Sequence, residues 1–298
     1  MKEIVVLSGK GGTGKTSLAA AFASMMGSVV IVDCDVDASN LHLLLNPAVR
    51  QSHDFRGGAK AQIDASICNG CGACLAACRF EAIRLNGSAS VRLMRCEGCG
   101  VCIRRCPVDA ISLQRHICGQ WFISQTRFGA MIHAYLQPGE ENSGKLVSVL
   151  RQSAKRLARQ QGASWILADG PPGTGCPAIS SLTGADYTVM IAEPSLSGFA
   201  DLRRALGVAD HFRIPAGIVI NKADINAQIA ARIEAFALES GRDFLGRIDY
   251  DPAFVRSQLN GVPVLEAASE DLRTRLQNIW RAIQDAVRKH SLPLAVLP

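Results

Sequence analysis

Residues 3–17 read EIVVLSGKGGTGKTS, and the reading of this stretch decides the fold. A short apolar run breaks into Gly9-Lys10-Gly11-Gly12-Thr13-Gly14-Lys15-Thr16, and the Ala-rich SLAAAFASMM follows with helical character. Strand, glycine loop and helix in that order form the setting in which G-x-x-x-x-G-K-S/T acts as a phosphate-binding P-loop. Glycines without β-carbons let successive N–H groups converge on phosphate oxygens at the positive end of the helix. The expected nucleotide set is Gly9, Gly11, Gly12, Thr13, Gly14, Lys15, Thr16 and Ser17. Lys15 is to reach the β- and γ-phosphates, and the Thr16 hydroxyl is to sit on Mg2+.

Working outward, apolar runs alternate with helical stretches through the C-terminal half. VVIVDCD (29–35), WILADGPPGTG (165–175), DYTVMIAE (186–193), AGIVINKAD (216–224) and RDFLGRI (242–248) read as strands. Helices are expected over 196–210, 226–239 and 269–289. Regular βα units of this kind predict an α/β fold, a doubly wound parallel sheet. Carboxylates end two strands: Asp33 and Asp35 on the first, with Asp37 beyond, and Asp169 on the second. Asp169 fits a carboxylate reaching Mg2+ directly or through a water, with the following Gly-Pro-Pro-Gly turn as a γ-phosphate-sensing switch. Cys34 reads as core packing. Arg273, Arg275, Arg281 and Arg288 lie among apolar positions of the last helix, which reads as a packed helix with a solvated face. Residues 46–66 read as irregular.

A second motif set interrupts this pattern. CNGCGACLAAC places Cys68, Cys71 and Cys74 three apart and Cys78 four later; CEGCGVCIRRCP repeats the spacing with Cys96, Cys99, Cys102 and Cys106. This is the bacterial ferredoxin spacing, in which the fourth cysteine of each run ligates the other cluster. One 4Fe-4S cluster is therefore expected on Cys68, Cys71, Cys74 and Cys106, and a second on Cys96, Cys99, Cys102 and Cys78. Two zinc sites are the other reading, since paired C-x2-C also suits zinc. Zinc has no need of three cysteines per run. EAIRLNGSASVRLM is expected to form a hairpin, and DAISL after Cys106 mirrors FEAIRL after Cys78 in a repeat of roughly 28 residues. A module of about 50 residues has little core of its own and is held by its metals. The expected domains are an ATPase domain over 1–62 and 114–298, and a small α+β ferredoxin-like insert over 63–113.

Lys10 adds a family resemblance. An early second lysine, as in KGGTGKT, resembles the deviant P-loop of the MinD/ParA family, which includes the nitrogenase iron protein. The stretch WFISQTRFGAMIHAYLQPGEENSGKLV, read as a hairpin followed by a helix from Ser143-Gly144-Lys145, resembles MinD-type ATPases that carry an inserted ferredoxin domain. The resemblance covers essentially the whole chain. It implies that Lys10 reaches across a dimer interface to the partner's nucleotide, that Asp35 positions the attacking water, and that Asn221 meets adenine. Asp33 is expected to help hold the magnesium shell or the P-loop. Asn221, Lys222 and Asp224, within NKAD, also spell the guanine-specificity motif, with Asp224 pairing the guanine edge; ATP is the favoured nucleotide. In the nitrogenase iron protein a cysteine just after the switch holds a bridging cluster. Cys176 is therefore either such a ligand or, as favoured here, a buried thiol. His116, Cys118 and His133 are expected to be structural, because cysteine already supplies both clusters.

Bulk properties set the limits. With 298 residues, 48% hydrophobic and 5% aromatic, the chain can bury a substantial core. A net charge of +6 without a long basic run does not predict a nucleic-acid partner. No signal peptide or membrane span is expected, and the cysteine usage suits a reducing cytoplasm. The expected function is ATP hydrolysis at a dimer interface, coupled to electron transfer with a redox protein. The dimer is either a homodimer or a heterodimer with a paralogous ATPase. The alternatives are an iron–sulfur assembly or carrier ATPase, and a positioning ATPase with a redox-sensing module.

Overall fold

The computed structural model describes residues 1–140 and 142–291. Glu141 of the EENSGKLV stretch and residues 292–298 of the expected ATPase domain lie outside the described residues. The chain divides into two compact units. The first comprises Met1–Ser52, Trp121–Tyr135 and Ser143–Pro298; the second comprises His53–Gln120 and Leu136–Asn142. The second thus contains the 63–113 stretch and, besides it, 53–62, 114–120 and 136–142.

In chain order the strands begin with β1 (Lys2–Ser8), β2 (Val29–Asp33), β3 (Ala48–Phe55), β4 (Ala59–Ile63), β5 (Ile83–Asn86), β6 (Ser88–Val91) and β7 (Ile111–Arg115). They continue with β8 (Gly119–Gln125), β9 (Gly129–Leu136), β10 (Trp165–Pro172), β11 (Tyr187–Ala192), β12 (Ala216–Asn221) and β13 (Asp243–Ile248). The helices are α1 (Lys15–Met25), α2 (Leu41–Leu45), α3 (Ala73–Ala77), α4 (Val101–Arg105), α5 (Ser143–Gln161) and α6 (Cys176–Leu182). After them come α7 (Leu196–His211), α8 (Ala227–Glu239), α9 (Ala253–Asn260), α10 (Val264–Ala267) and α11 (Glu270–Lys289).

The first unit is built on a large, mostly parallel sheet of order β13-β12-β11-β1-β10-β2-β9-β8-β3. β1 is buried at every position after Lys2, as a central parallel strand covered on both faces must be. Its register sets the site: Val6 lies opposite Asp169 of β10, and Asp169 lies opposite Asp33 of β2. Two carboxylates from distant sequence therefore stand side by side, Asp33 at the end of β2 and Asp169 three residues before the end of β10. Behind them, the apolar face of α1 packs with α11. The Phe22 ring stacks on Trp280 at 6.1 Å, and Trp165 meets Trp280 edge-on at 5.8 Å. On α11, Leu272, Leu276, Ile279 and Ile283 recur at helical spacing and are buried. Arg273 and Arg275 on the same helix pair with Glu270 and Asp271.

Several expectations change. Residues 46–66 are not irregular but contain β3 and β4. Every residue of β3 from Ala48 to Ser52 is exposed, so the strand carries no apolar alternation to betray it. β10 runs past Asp169 to Pro172, with the prolines at its end where a ladder donor is dispensable. α9 and α10 occupy a stretch that carried no predicted element. β8 and β9 are neighbours in the sheet, and β9 also pairs in parallel with β2, Val30 opposite Ala130.

The second unit holds two short antiparallel pairs. β4 pairs with β7, Ala61 opposite Leu113, and β5 pairs with β6, Leu85 opposite Ala89. Its parts repeat at the 28-residue interval between Cys68 and Cys96: α3 with α4, β5 with β7, β6 with β4. The match extends to close approaches. A Cβ on Gly98 would lie 1.9 Å from the Ala59 carbonyl oxygen, and one on Gly70 would lie 2.4 Å from that of Gly87.

Candidate nucleotide site and cysteine cavities

The P-loop residues Gly11, Gly12, Thr13, Gly14, Lys15, Thr16 and Ser17 line one cavity of about 1110 Å³, its open mouth included. Asp35 lines the same cavity. Gly14 has φ +88° and packs against Asn221; a Cβ there would lie 2.4 Å from the Asn221 amide nitrogen. Only glycine meets both demands. Gly9 lies just outside, its backbone against Asp201 of α7.

Lys15 is buried and donates to Asp169 Oδ1 at 2.6 Å, with Asp35 Oδ2 at 3.9 Å and Thr16 Oγ1 at 3.2 Å. Asp169 Oδ2 is buried with no hydrogen-bond partner. Asp33 accepts from Ser39 Oγ at 2.7 Å and from the Asp35 and Leu41 amides. Burial, reinforced by the neighbouring Asp169, pushes the Asp33 carboxyl up to about 7. Burial also raises Asp35, with Lys15 opposing it. Three carboxylates thus crowd around one ammonium beside the Thr16 hydroxyl. An orphaned carboxylate oxygen and an excess of negative charge suit a hard divalent cation with oxygen ligands, and so the donor set fits Mg2+.

The remaining predicted nucleotide residues sit differently. Lys10 turns to its own chain, its Nζ donating to Glu193 Oε1 at 2.8 Å and Ser195 Oγ at 3.1 Å. Asn221 is buried, and its amide donates to the Thr13 carbonyl at 2.7 Å while Oδ1 has no partner. It braces the P-loop. Lys222 donates to the Gly12 carbonyl at 2.9 Å and to Glu193 Oε2 at 3.0 Å. Asp224 Oδ1 accepts from the Tyr250 amide at 2.6 Å. Sequence reasoning missed Gln258, which donates to Ser17 Oγ at 3.1 Å and lines the cavity with Leu43, Leu44 and Pro172. Gln258, Leu43 and Leu44 lie in no motif, whereas Pro172 belongs to the Gly-Pro-Pro-Gly turn. It also missed Glu193, whose only signal was a carboxylate closing the DYTVMIAE strand.

Cys176 is exposed at the start of α6, correcting the expectation of a buried thiol. Cys34 is fully buried as expected. His133 donates to or accepts from Ser124 Oγ at 2.9 Å and stacks on Phe122, and burial lowers it to about 4. His116 and Lys60 both contact Glu140. The Cys118 sulfur accepts from the Gly57 amide at 2.9 Å.

In the second unit the eight cysteines of the two runs fall into two sets. Cys78, Cys96, Cys99 and Cys102 line one cavity of about 370 Å³. Cys68, Cys71, Cys74 and Cys106 line another of about 290 Å³. Each set takes three thiols from one run and the fourth from the other. Backbone amides point at the sulfurs in matching pairs. Ala61 and Ala89 donate to Cys96 and Cys68 at 3.4 Å, while Ala82 and Ala110 donate to Cys78 and Cys106 at 3.4 and 3.3 Å. Among the described residues no group of three or more His, Cys, Asp or Glu converges to hold a single metal ion. With amide donors aimed at sulfur and the fourth thiol of each set drawn from the other run, the donor chemistry suits a cysteine-ligated iron–sulfur cluster.

Comparison with known proteins agrees with the geometry of the first unit. The CobQ/CobB/MinD/ParA nucleotide binding domain matches residues 4–264. The uncharacterized protein MJ0578 of Methanocaldococcus jannaschii is 34% identical over 227 residues, covering 75% of this chain and 79% of that protein. MJ0579 of the same organism is 25% identical over 308 residues, covering 94% and 96%. Among solved structures, the septum site-determining protein MinD complexed with Mg-ADP from Pyrococcus horikoshii superposes with a TM-score of 0.58 at 18% identity, covering 97% of this chain and 98% of that one. The matched span holds the glycine loop, both strand-end carboxylates and Asn221. The chain therefore belongs to the CobQ/CobB/MinD/ParA nucleotide-binding family and has its α/β P-loop ATPase fold.

Proposed function

We propose that the chain hydrolyses ATP at the interface of a nucleotide-closed dimer and carries two 4Fe-4S clusters in a ferredoxin-like insert centred on 63–113. The nucleotide state then controls electron transfer with a redox protein. The observation that carries the cluster half is the division of eight cysteines into two cavities with the fourth ligand exchanged between runs. That exchange follows the two-cluster ferredoxin rule, and two independent zinc ribbons have no use for it.

At the nucleotide, Lys15 leaves Asp169 for the β- and γ-phosphates, and the P-loop amides hold the phosphate chain. Thr16 with Asp169 and Asp33 would hold Mg2+, which neutralises phosphate charge. Asp35, beside Lys15 and lining the cavity, orients the attacking water. Asn221 holds the P-loop through the Thr13 carbonyl, and its buried, unpartnered Oδ1 is assigned to the adenine amino group as the family resemblance implies. ATP is favoured over GTP, since the Tyr250 amide already engages one oxygen of Asp224.

In the second unit the two cysteine sets would hold the clusters, which supply one-electron chemistry. The amides at Ala61, Ala82, Ala89 and Ala110, already aimed at the cysteine sulfurs, would stabilise negative charge on them when they ligate. Full cysteine ligation argues against clusters that are handed on as cargo. The pairing of nucleotide switch and clusters is what relates the proposal to the nitrogenase iron protein. A paralogous partner is supported by two related chains occurring in one organism. Among the described residues no helix is long and apolar enough to cross a membrane, and the free thiols suit a cytoplasmic setting.

The test is anaerobic electrochemistry of the full chain without nucleotide, with ADP and with a non-hydrolysable ATP analogue. A potential shift of tens of millivolts with the analogue alone, together with ATP turnover, supports nucleotide-controlled electron transfer. Potentials indifferent to nucleotide contradict the coupling.

A further inference from the structure

Glu193 stands one residue past β11 and holds two lysines at once. Its Oε1 accepts from Lys10 and its Oε2 from Lys222, each at about 3 Å or less. Ser195 Oγ gives Lys10 a second partner, and the Gly12 carbonyl gives Lys222 one. Ser8 Oγ donates to the Lys10 carbonyl at 2.8 Å, fixing the backbone from which the lysine departs. Two ammonium groups share one carboxylate, so the cluster keeps a net positive charge at the lip of the P-loop. Leu196 and Ile225, just past Ser195 and Lys222, are 72% and 59% exposed. A cationic centre beside exposed apolar side chains suits a surface that closes on an anion carried by another molecule.

We propose that Glu193 is the positioning residue of Lys10: it holds the lysine in the open chain and yields it only to a triphosphate bound on a second copy. This rests on the dimer reading above. The exchange is cheap because the carboxylate is not stranded when Lys10 leaves. Lys222 stays on the other oxygen, anchored through the Gly12 carbonyl. The exchange is also selective, because an incoming group must outbid a carboxylate for one ammonium. A terminal γ-phosphate brings more charge to the interface than the diphosphate does, so it meets the cost of taking Lys10 from Glu193 where a diphosphate falls short.

The experiment is sedimentation velocity of the full chain with Mg2+ and either a non-hydrolysable ATP analogue or ADP. Wild type is compared with Glu193→Gln, Glu193→Asp, Lys10→Ala and the double variant Lys10→Ala/Glu193→Gln. Releasing a partly exposed ion pair is expected to tighten the analogue-bound dimer of Glu193→Gln about two- to fivefold. ADP gains no more from the same variant than the analogue does, and Glu193→Asp restores wild-type behaviour. In the Lys10→Ala background the Glu193→Gln change has no effect. A structural role alone would weaken the dimer. Weakening in Glu193→Gln, or an equal effect with Lys10 absent, overturns the exchange. If wild type itself stays monomeric with the analogue, the dimer reading fails and the exchange falls with it.

Discussion

Replacing Lys15 by methionine removes the charge that Asp35 and Asp169 face at the P-loop and keeps most of the side-chain volume. Lys15 and Asp169 are both buried, with Nζ 2.6 Å from Oδ1. Asp33 lies opposite Asp169 in the β2–β10 register, and Asp35 lies 3.9 Å from the same ammonium. The variant therefore leaves three carboxylates with no cation among them. Breaking a buried pair in this way costs about 3 kcal/mol, roughly 6–12 °C in the thermal midpoint. The pH dependence carries the stronger test. Asp33 titrates near 7 in the folded chain, above its unfolded value of 3.8, so the folded state binds more protons between those limits. Stability falls as pH rises through that window, and the unfavourable contribution is complete above about 7. Lys15 opposes the upward shift, so removing it extends the window to higher pH. The gap between wild type and Lys15→Met should widen from pH 5 to pH 8 in nucleotide-free melts, and Mg2+ should narrow it. Binding of a fluorescent ADP analogue should be lost at every pH. A gap that does not change with pH, or one well under 1 kcal/mol at pH 8, would refute the argument.

Other expected outcomes concern single contacts. Asp35→Ala should keep nucleotide affinity in equilibrium titration and lose turnover; equal loss of both would remove its assigned role. Asn221→Ala deletes a buried hydrogen bond to the Thr13 carbonyl, and ADP binding by calorimetry should weaken roughly five- to tenfold. Gly98→Ala drives a Cβ into the Ala59 carbonyl and should lower iron content sharply. Gly162→Ala has a similar φ with open space around it, so it should cost only about 1 kcal/mol and no iron.

The parts of the fold that were legible in the sequence are those where local chemistry repeats. The apolar strands β1, β2, β11 and β12 and the Gly14 turn into α1 follow from burial and backbone freedom, which short windows record. The cysteine spacing carried the expectation that the fourth thiol of each run joins the other, and the two cavities are lined in that grouping. β3 was not legible, since its exposed side chains leave no periodic signal. Nor were Glu193, Gln258 and the brace made by Asn221. Each depends on which loops the sheet brings together: Lys10 and Glu193 are 183 residues apart, Ser17 and Gln258 are 241. Sequence placed Asn221 at a strand end; its partner is set by tertiary packing.

The most direct test of the central claim is iron and acid-labile sulfide analysis of the anaerobically purified full chain, paired with spectroscopy of Cys106→Ala. The account predicts about eight iron and eight sulfide per chain. In Cys106→Ala it predicts damage to the cluster built on Cys68, Cys71 and Cys74, with the signal of the other cluster retained. Zinc in place of iron, or a Cys106→Ala change that spares the first run and harms the cluster on Cys96, Cys99 and Cys102, would contradict it.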